Sequence, residues 1–86
     1  MAEGKQIGKV VHWFGKVSVA VVELESDLKL GDMVHFEGAH TDFHQEVNSM
    51  QVEHAVVEQV SAGDEVAIKV EERVRAGDTL HVHVEE

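Results

Sequence analysis

The sequence of 86 residues lacks cysteine, proline and tyrosine. Without cysteine, neither a disulfide nor a thiolate metal site can stabilise the fold. The absence of cysteine and tyrosine also excludes the catalytic mechanisms in which either residue acts as the nucleophile or as the acid–base group. No apolar run approaches the roughly 20 residues that a membrane helix needs, and residues 1–6 lack the apolar stretch of a signal peptide. These absences predict a cytoplasmic protein with no membrane contact.

Length and charge limit the size of the fold and the choice of partners. Eighty-six residues predict a single domain, 1–86, with a modest hydrophobic core. The formal net charge of −10 opposes broad binding to phosphate backbones. The charge is uneven, because residues 1–20 carry three lysines against one glutamate and residues 21–86 carry a net −12. This basic end could bind a nucleic acid or an acidic partner, although ordinary surface charge is the simpler interpretation.

One local motif occurs three times, at Gly31-Asp32, Gly63-Asp64 and Gly77-Asp78. Each pair follows Leu or Ala and precedes an alternation of polar and apolar residues. Glycine adopts a positive φ at little steric cost, and aspartate can bond to its nearby backbone and set a turn. The alternation is typical of a half-buried strand. The motif therefore predicts a structural turn that starts a strand, and its unequal spacing excludes a repeat of fixed period.

Valine is the commonest apolar residue, which favours β structure. Six strands are predicted: 7–14, 17–24, 33–37, 43–53, 65–70 and 79–84. A two-residue type II′ turn at Gly15-Lys16 is expected to join the first two strands. A β-bulge is expected near Asn48 in the fourth strand. Residues 54–62 are ambiguous and could form one helical turn. Six short strands without a convincing long helix predict an all-β sandwich or barrel.

Closure removes exposed sheet edges, so the predicted fold is a single six-stranded, mainly antiparallel closed β-barrel. The alternation also sorts side chains into an inward and an outward set. The predicted inward set is Val34, Phe36, Val47, Met50, Val52, Val66, Ile68, Val70, Leu80, Val82 and Val84. The outward set includes His35, Lys69, His81 and His83.

Four short motifs carry a family resemblance: Gly8-Lys9-Val10-Val11, Leu30-Gly31-Asp32-Met33-Val34, Ser49-Met50-Gln51-Val52 and Ala62-Gly63-Asp64-Glu65-Val66. They resemble the second-domain β-barrel of translational GTPases such as elongation factor Tu and initiation factor two. The chain is also similar to short proteins described as translation elongation factor-like, and to a barrel at the C-terminus of some collagenase-like peptidases. The resemblance covers nearly the whole chain and implies a barrel that contacts RNA or the translation apparatus.

The resemblance also points to one contact residue. In elongation factor Tu, the stretch Gly-Val-Glu-Met-Phe lies where the aminoacyl end of tRNA docks. Ser49 to Glu53 occupies that place here, with Gln51 in place of the glutamate and Glu53 in place of the phenylalanine. The resemblance therefore implies that Gln51 contacts a tRNA end, whereas Met50 and Val52 are better explained by core packing.

The sequence contains no complete motif for catalysis or for cofactor binding. None of the three Gly-Lys pairs is followed by the hydroxyl residue of a phosphate loop, so no nucleotide is expected. His81 and His83, even with His35, make an incomplete set for zinc, so no metal site is predicted. No serine stands in a recognisable triad pattern. The sequence predicts no catalytic residue and no cofactor, and therefore no enzyme.

A non-catalytic binding module is the predicted function, with two alternatives for its partner. The first is RNA, such as a tRNA end, or the translation apparatus. The candidate contacts for this partner are Lys5, Lys9, Trp13, Lys16 and Gln51. The second is a protein, for which the chain would be an adaptor that supplies in trans a barrel that larger enzymes carry in cis. A clustered basic and aromatic surface would favour RNA, and an exposed apolar patch on an acidic barrel would favour the adaptor.

Overall fold

The computed structural model describes residues 5–82, and this part of the chain is all-β, as predicted. Its strands are β1 (Lys5–Phe14), β2 (Val19–Leu24), β3 (Leu28–Lys29), β4 (Met33–Gly38), β5 (Thr41–Glu46), β6 (Met50–Val52), β7 (Ala55–Val57), β8 (Gln59–Val60), β9 (Glu65–Lys69) and β10 (Thr79–Val82). Within residues 5–82 there is no helix with the length and hydropathy to cross a membrane.

Eight strands form one antiparallel sheet in the order β5-β4-β10-β1-β2-β9-β6-β7. The two short strands β3 and β8 pair separately. The prediction of a closed six-stranded barrel is therefore wrong in strand number and in closure, because the ladder ends at β5 and β7. Two of the additional strands, β7 and β8, come from residues 54–62, which the sequence left ambiguous.

A side chain connects β5 to the end of β9 and to the segment after it, although β5 and β9 are not neighbours in the sheet. The buried Gln45 amide donates to the Lys69 carbonyl at 3.0 Å, and its oxygen accepts from the Glu71 amide at 2.8 Å. These bonds satisfy polar groups that a sheet edge would otherwise leave exposed. The curved sheet is thus held together at this point without strand pairing.

The predicted fourth strand is divided into β5 and β6. The intervening Val47 donates to the Asp32 carbonyl and accepts from the Gly31 amide, both at 2.9 Å. Val47 and Met50 are buried, and Val52 packs partly against the core. The apolar side chains share one face as expected, but through a break in the strand.

The three Gly-Asp pairs end the four-residue turns 29–32, 61–64 and 75–78. In each turn the aspartate amide donates to the carbonyl three residues earlier, at 3.2, 3.3 and 3.0 Å. The glycine of each turn has a positive φ, of 92°, 94° and 100°, as the third position of a type II turn requires. Strands β4, β9 and β10 each begin at the residue after the aspartate.

The β1–β2 connection differs from the predicted two-residue type II′ turn. Residues 15–18 form a four-residue loop, in which the Val17 amide donates to the Phe14 carbonyl at 3.3 Å. The positive φ of this loop, 56°, belongs to Ser18 and not to Gly15. The hydrogen-bonded turn therefore spans residues 14–17, and Ser18, with its positive φ, directly precedes the first residue of β2.

The core lies between the curved walls of the sheet. Its predicted members Val34, Phe36, Val47, Met50, Val66, Ile68, Val70 and Leu80 are buried, and Val52 and Val82 pack partly against them. The first hairpin, the strands β3, β5 and β8, and the loop before β10 add Ile7, Val10, Ala20, Val22, Leu24, Leu28, Phe43, Val60 and Val74. Of the predicted outward set, Lys69 is exposed and His35 and His81 are half-buried. Val84 and His83 lie outside the described residues.

Candidate functional site

Strand register aligns one row of residues across the outer side of five strands. His12 pairs with Val21, Val21 with Ala67, Ala67 with Gln51, and Gln51 with Val56. Cross-strand partners point to the same side of a sheet, so these side chains form a continuous row. Two parallel rows flank it, namely Phe14, Val19 and Lys69 on one side and Lys9, Glu23 and Glu65 on the other.

Apolar side chains dominate this part of the surface. We call the following set the apolar face: Phe14, Val17, Val19, Val21, Val56 and Ala67. Phe14 is 47% exposed, Val17 57% and Val56 74%, whereas the other three are half-buried. Five of the six line a depression of about 450 Å³, and Val56 lies beside it as the cross-strand partner of Gln51.

The rim of the depression is polar and mainly acidic. Glu53, His54 and Glu65 line it, and Glu23 is the cross-strand partner of Glu65. All three glutamates are exposed. Lys69, in the row next to Ala67, is a cation near this rim. The depression therefore combines an apolar floor with an excess of carboxylates.

Strained turns border the depression on two sides. Ser18 has a φ of 56°, Glu53 of 50° and His54 of 68°, and these are the non-glycine residues with positive φ within residues 5–82. This conformation costs roughly 1–2 kcal/mol for a residue with a Cβ. The β6–β7 turn would normally be occupied by Asn-Gly. Here the strained turn holds Glu53 and His54 at the depression.

The five predicted contact residues do not form one cluster. Lys5 pairs with Val82 at the start of β1, and Lys16 lies in the loop beyond its end. Ten strand residues at about 3.3 Å each separate these lysines by roughly 30 Å. Trp13 packs partly against the core. Lys9 and Gln51 are both on the outer side of the sheet, but Gln51 lies in the apolar depression and Lys9 pairs with Glu23.

Phe14, and not Trp13, is the exposed aromatic residue of the first hairpin. A register shift between Val10 and His12 marks a bulge at Val11. Because a bulge inserts one residue, it reverses the alternation beyond it. Trp13 consequently joins the inward face of Val10, and Phe14 points outward with its ring 5.1 Å from that of His12.

The apolar face was not predicted from the sequence, but β2 contains a signal for it. Val19-Ala20-Val21-Val22 is apolar without interruption. An antiparallel strand with one face in water normally alternates apolar and polar residues. An uninterrupted apolar run in such a strand predicts that side chains on both sides of the sheet contact apolar groups. The run in β2 therefore indicates that the outer side of the sheet is apolar at this strand.

Histidines form a second row, on the outer side of β10, β4 and β5. His81 pairs with His35, and His35 pairs with His44. The rings of His35 and His44 stack at a centroid distance of 4.1 Å. The Nε2 atom of His35 is 2.6 Å from the Asp42 carboxylate, and that of His81 is 3.4 Å from Glu37. Among residues 5–82, no group of three or more histidine and carboxylate side chains has the geometry to hold a metal ion.

Comparison with known proteins gives two kinds of relative. No family model matches the chain. Over 66 residues it is 44% identical to an uncharacterized protease of Methanocaldococcus jannaschii, a stretch that makes up 76% of this chain but 16% of the protease. The chain thus spans about a sixth of the length of this curated relative.

The fold is that of a peptidase C-terminal domain of known structure. Crystal structures exist for the C-terminal domain of a Geobacillus thermoleovorans protein assigned to the U32 peptidases. One superposes with a TM-score of 0.83 at 19% identity, covering 88% of this chain and 89% of that one. Its selenomethionine variant gives a TM-score of 0.85 at 19% identity, covering 90% and 98%.

These relatives overturn the identification as a translation elongation factor-like protein, and they favour the second resemblance, to a peptidase C-terminal domain. The motifs misled because Gly31-Asp32 and Gly63-Asp64 encode turn geometry, which unrelated β folds share. The implied tRNA contact at Gln51 loses its basis with the family. What remains is a fold and a stretch of sequence that this chain shares with parts of larger peptidase-type proteins.

Proposed function

We propose that this chain is a non-catalytic protein-binding module that supplies in trans a domain carried by larger enzymes within one chain. The observation that carries the proposal is the 44% identity to a stretch forming 16% of a protease. A module of this kind is useful in trans only if it binds another protein. The surface best suited to that binding is the apolar face.

Three of the exposed apolar residues belong to the contiguous apolar face, whereas Leu30 and Met33 lie outside it, and contiguity distinguishes a binding surface from ordinary scatter. Phe14, Val17 and Val56 are each about half exposed or more. Register places the half-buried Val21 and Ala67 between the two ends of the face. Covering these side chains would remove apolar surface from water, which favours association with a protein.

The residues that line the depression support binding over catalysis. Gln51, Glu53, His54 and Glu65 are its polar members. The hydroxyl, thiol and amine nucleophiles of covalent catalysis are absent from the lining, which contains no serine, threonine, cysteine or lysine, and its two carboxylates and its histidine are exposed to solvent. The apolar floor offers packing surface instead.

Charge favours a protein over RNA. Exposed carboxylates of Glu23, Glu53 and Glu65 surround the depression, and phosphate groups would be repelled by them. Lys5 and Lys16 lie near opposite ends of β1, so they do not reinforce one another at a compact site. The net charge of −10 acts in the same direction.

Affinity capture from the chain's own host tests the proposal. A tagged copy is isolated at low salt, and the eluate is assayed for both protein and RNA. We expect one larger polypeptide near equimolar amount, retained after nuclease treatment and absent from a control with an unrelated acidic domain. Recovery of RNA alone, or of no polypeptide near equimolar amount, would refute the adaptor function.

A further inference from the structure

We infer that the apolar face binds a basic segment of its partner protein, with large apolar side chains in the depression and lysine or arginine at the rim. This inference rests on the proposed function and names the chemistry of the partner. Three features of the depression carry it: its apolar floor, its acidic rim and its polar centre.

The floor determines which side chains the segment presents. Phe14, Val17, Val21 and Ala67 line the depression, and Val21 and Ala67 are cross-strand partners in its central row. A volume of about 450 Å³ accepts bulky side chains rather than a flat polar surface. Large apolar anchors in a central pocket supply most of the affinity of protein interfaces.

The rim determines the charge of the segment. Glu53 and Glu65 line the depression and Glu23 is adjacent, and all three are exposed. Lysine or arginine beside the apolar anchors would complement them, which raises association rates and excludes acidic competitors. Glu53 and His54, both with positive φ, form the turn between β6 and β7, and this turn places the two residues at the depression.

Gln51 supplies the polar centre. It lines the depression between Ala67 and Val56 in the cross-strand row. Its amide has both donor and acceptor atoms, so it can bond to the backbone of a bound segment. One polar group among apolar neighbours fixes the orientation of a ligand.

The same charges argue against a second copy of this chain as the occupant. A symmetric dimer would place the face of one copy against the same face of the other. Glu53 and Glu65 of both copies would then meet, and each copy carries a net charge of −10. Like charges across an interface are repulsive, whereas a basic segment removes this repulsion.

Two substitutions with matched exposure and charge test the surface. Phe14→Lys alters the apolar face, and Met33→Lys alters the outer side of β4, where Met33 is 48% exposed against 47% for Phe14. Each adds one positive charge, so an effect of net charge alone appears in both. Val56→Lys, at a position 74% exposed, is a second variant on the face that leaves the core intact.

The probe is a labelled short peptide of alternating leucine and lysine, measured by fluorescence anisotropy at two salt concentrations. Control peptides replace leucine by serine or lysine by glutamate. We expect the leucine–lysine peptide to bind most tightly, and binding to fall about tenfold or more in Phe14→Lys and Val56→Lys but to change little in Met33→Lys. Equal binding of the serine–lysine peptide, or equal losses in all three variants, would overturn the inference.

The host partner separates failure of this inference from failure of the proposed function. If the partner is captured and both Phe14→Lys and Val56→Lys retain it, the surface assignment is wrong while the adaptor function stands. If no partner is captured, the adaptor function itself fails. Sedimentation that detects a dimer of the chain, dissociated by Phe14→Lys, would assign the face to a second copy and also overturn the inference.

Discussion

Substitution of Gly63 by alanine tests the turns from which β4, β9 and β10 begin. Gly63 has a φ of 94°, and a Cβ added to it would meet no atom within 4 Å. Steric contact with neighbours is therefore absent, and the cost arises from the backbone conformation alone. Holding a non-glycine residue in such a region costs about 1–3 kcal/mol.

That free energy is large for a domain of this size. Each kcal/mol lowers the melting temperature by roughly 4–8 °C and lowers the urea midpoint by about 1 M when the denaturant slope is near 1 kcal/mol/M. Trp13 is the single tryptophan and is half-buried, so its fluorescence reports unfolding directly. Gly31→Ala and Gly77→Ala should behave alike, because both glycines have similar φ values and open surroundings.

A semisynthetic chain with D-alanine at position 63 is the matched control. D-alanine favours positive φ and adds the same methyl group, so it should retain the stability of the natural chain or exceed it. The reasoning is refuted if the three L-alanine variants leave the urea midpoint unchanged, or if D-alanine and L-alanine destabilise equally.

Three further outcomes follow from the structure. Gly38→Ala should destabilise the protein more than Gly63→Ala in urea unfolding, because the added Cβ would overlap the buried Asp78 carboxylate. This carboxylate accepts a hydrogen bond from the Arg75 amide at 2.9 Å. Equal or smaller destabilisation by Gly38→Ala would contradict this prediction. Gln45→Ala should cost about 2 kcal/mol or more by leaving backbone groups unpaired and should speed hydrogen exchange at Glu71, which an unchanged exchange rate would refute. Calorimetric titration with zinc should show no submicromolar site, and a one-to-one isotherm lost in His81→Ala would disprove that.

Local features of the fold were predictable from sequence, and long-range ones were not. Alternation placed Val34, Phe36 and Leu80 in the core, because each follows a turn with a fixed chemical pattern. Closure depends on whether β5 and β7 meet, and no local pattern encodes that pairing. Strands β3 and β8 have two residues each, which is too short for any periodicity to be detected.

The candidate site shows the same division. The resemblance drew attention to Gln51, which does lie in the depression, but the carboxylates and apolar residues around it come from β1, β2, β7, β9 and two turns. Their proximity is a property of sheet order. Trp13 and Phe14 could not be assigned to faces from alternation, because the bulge at Val11 reverses it. The sequence does not distinguish Gln45 from an ordinary surface glutamine, because its two backbone partners, Lys69 and Glu71, are distant along the chain.

Site-specific photo-crosslinking in the host most directly tests the central claim that this chain binds a protein through its apolar face. A photoreactive phenylalanine analogue is placed at position 56 on the face and, in a separate strain, at position 33 on β4. We expect a crosslink from position 56 to one larger polypeptide and none from position 33. Equal crosslinking from both positions, or crosslinks from position 56 to RNA alone, would contradict it.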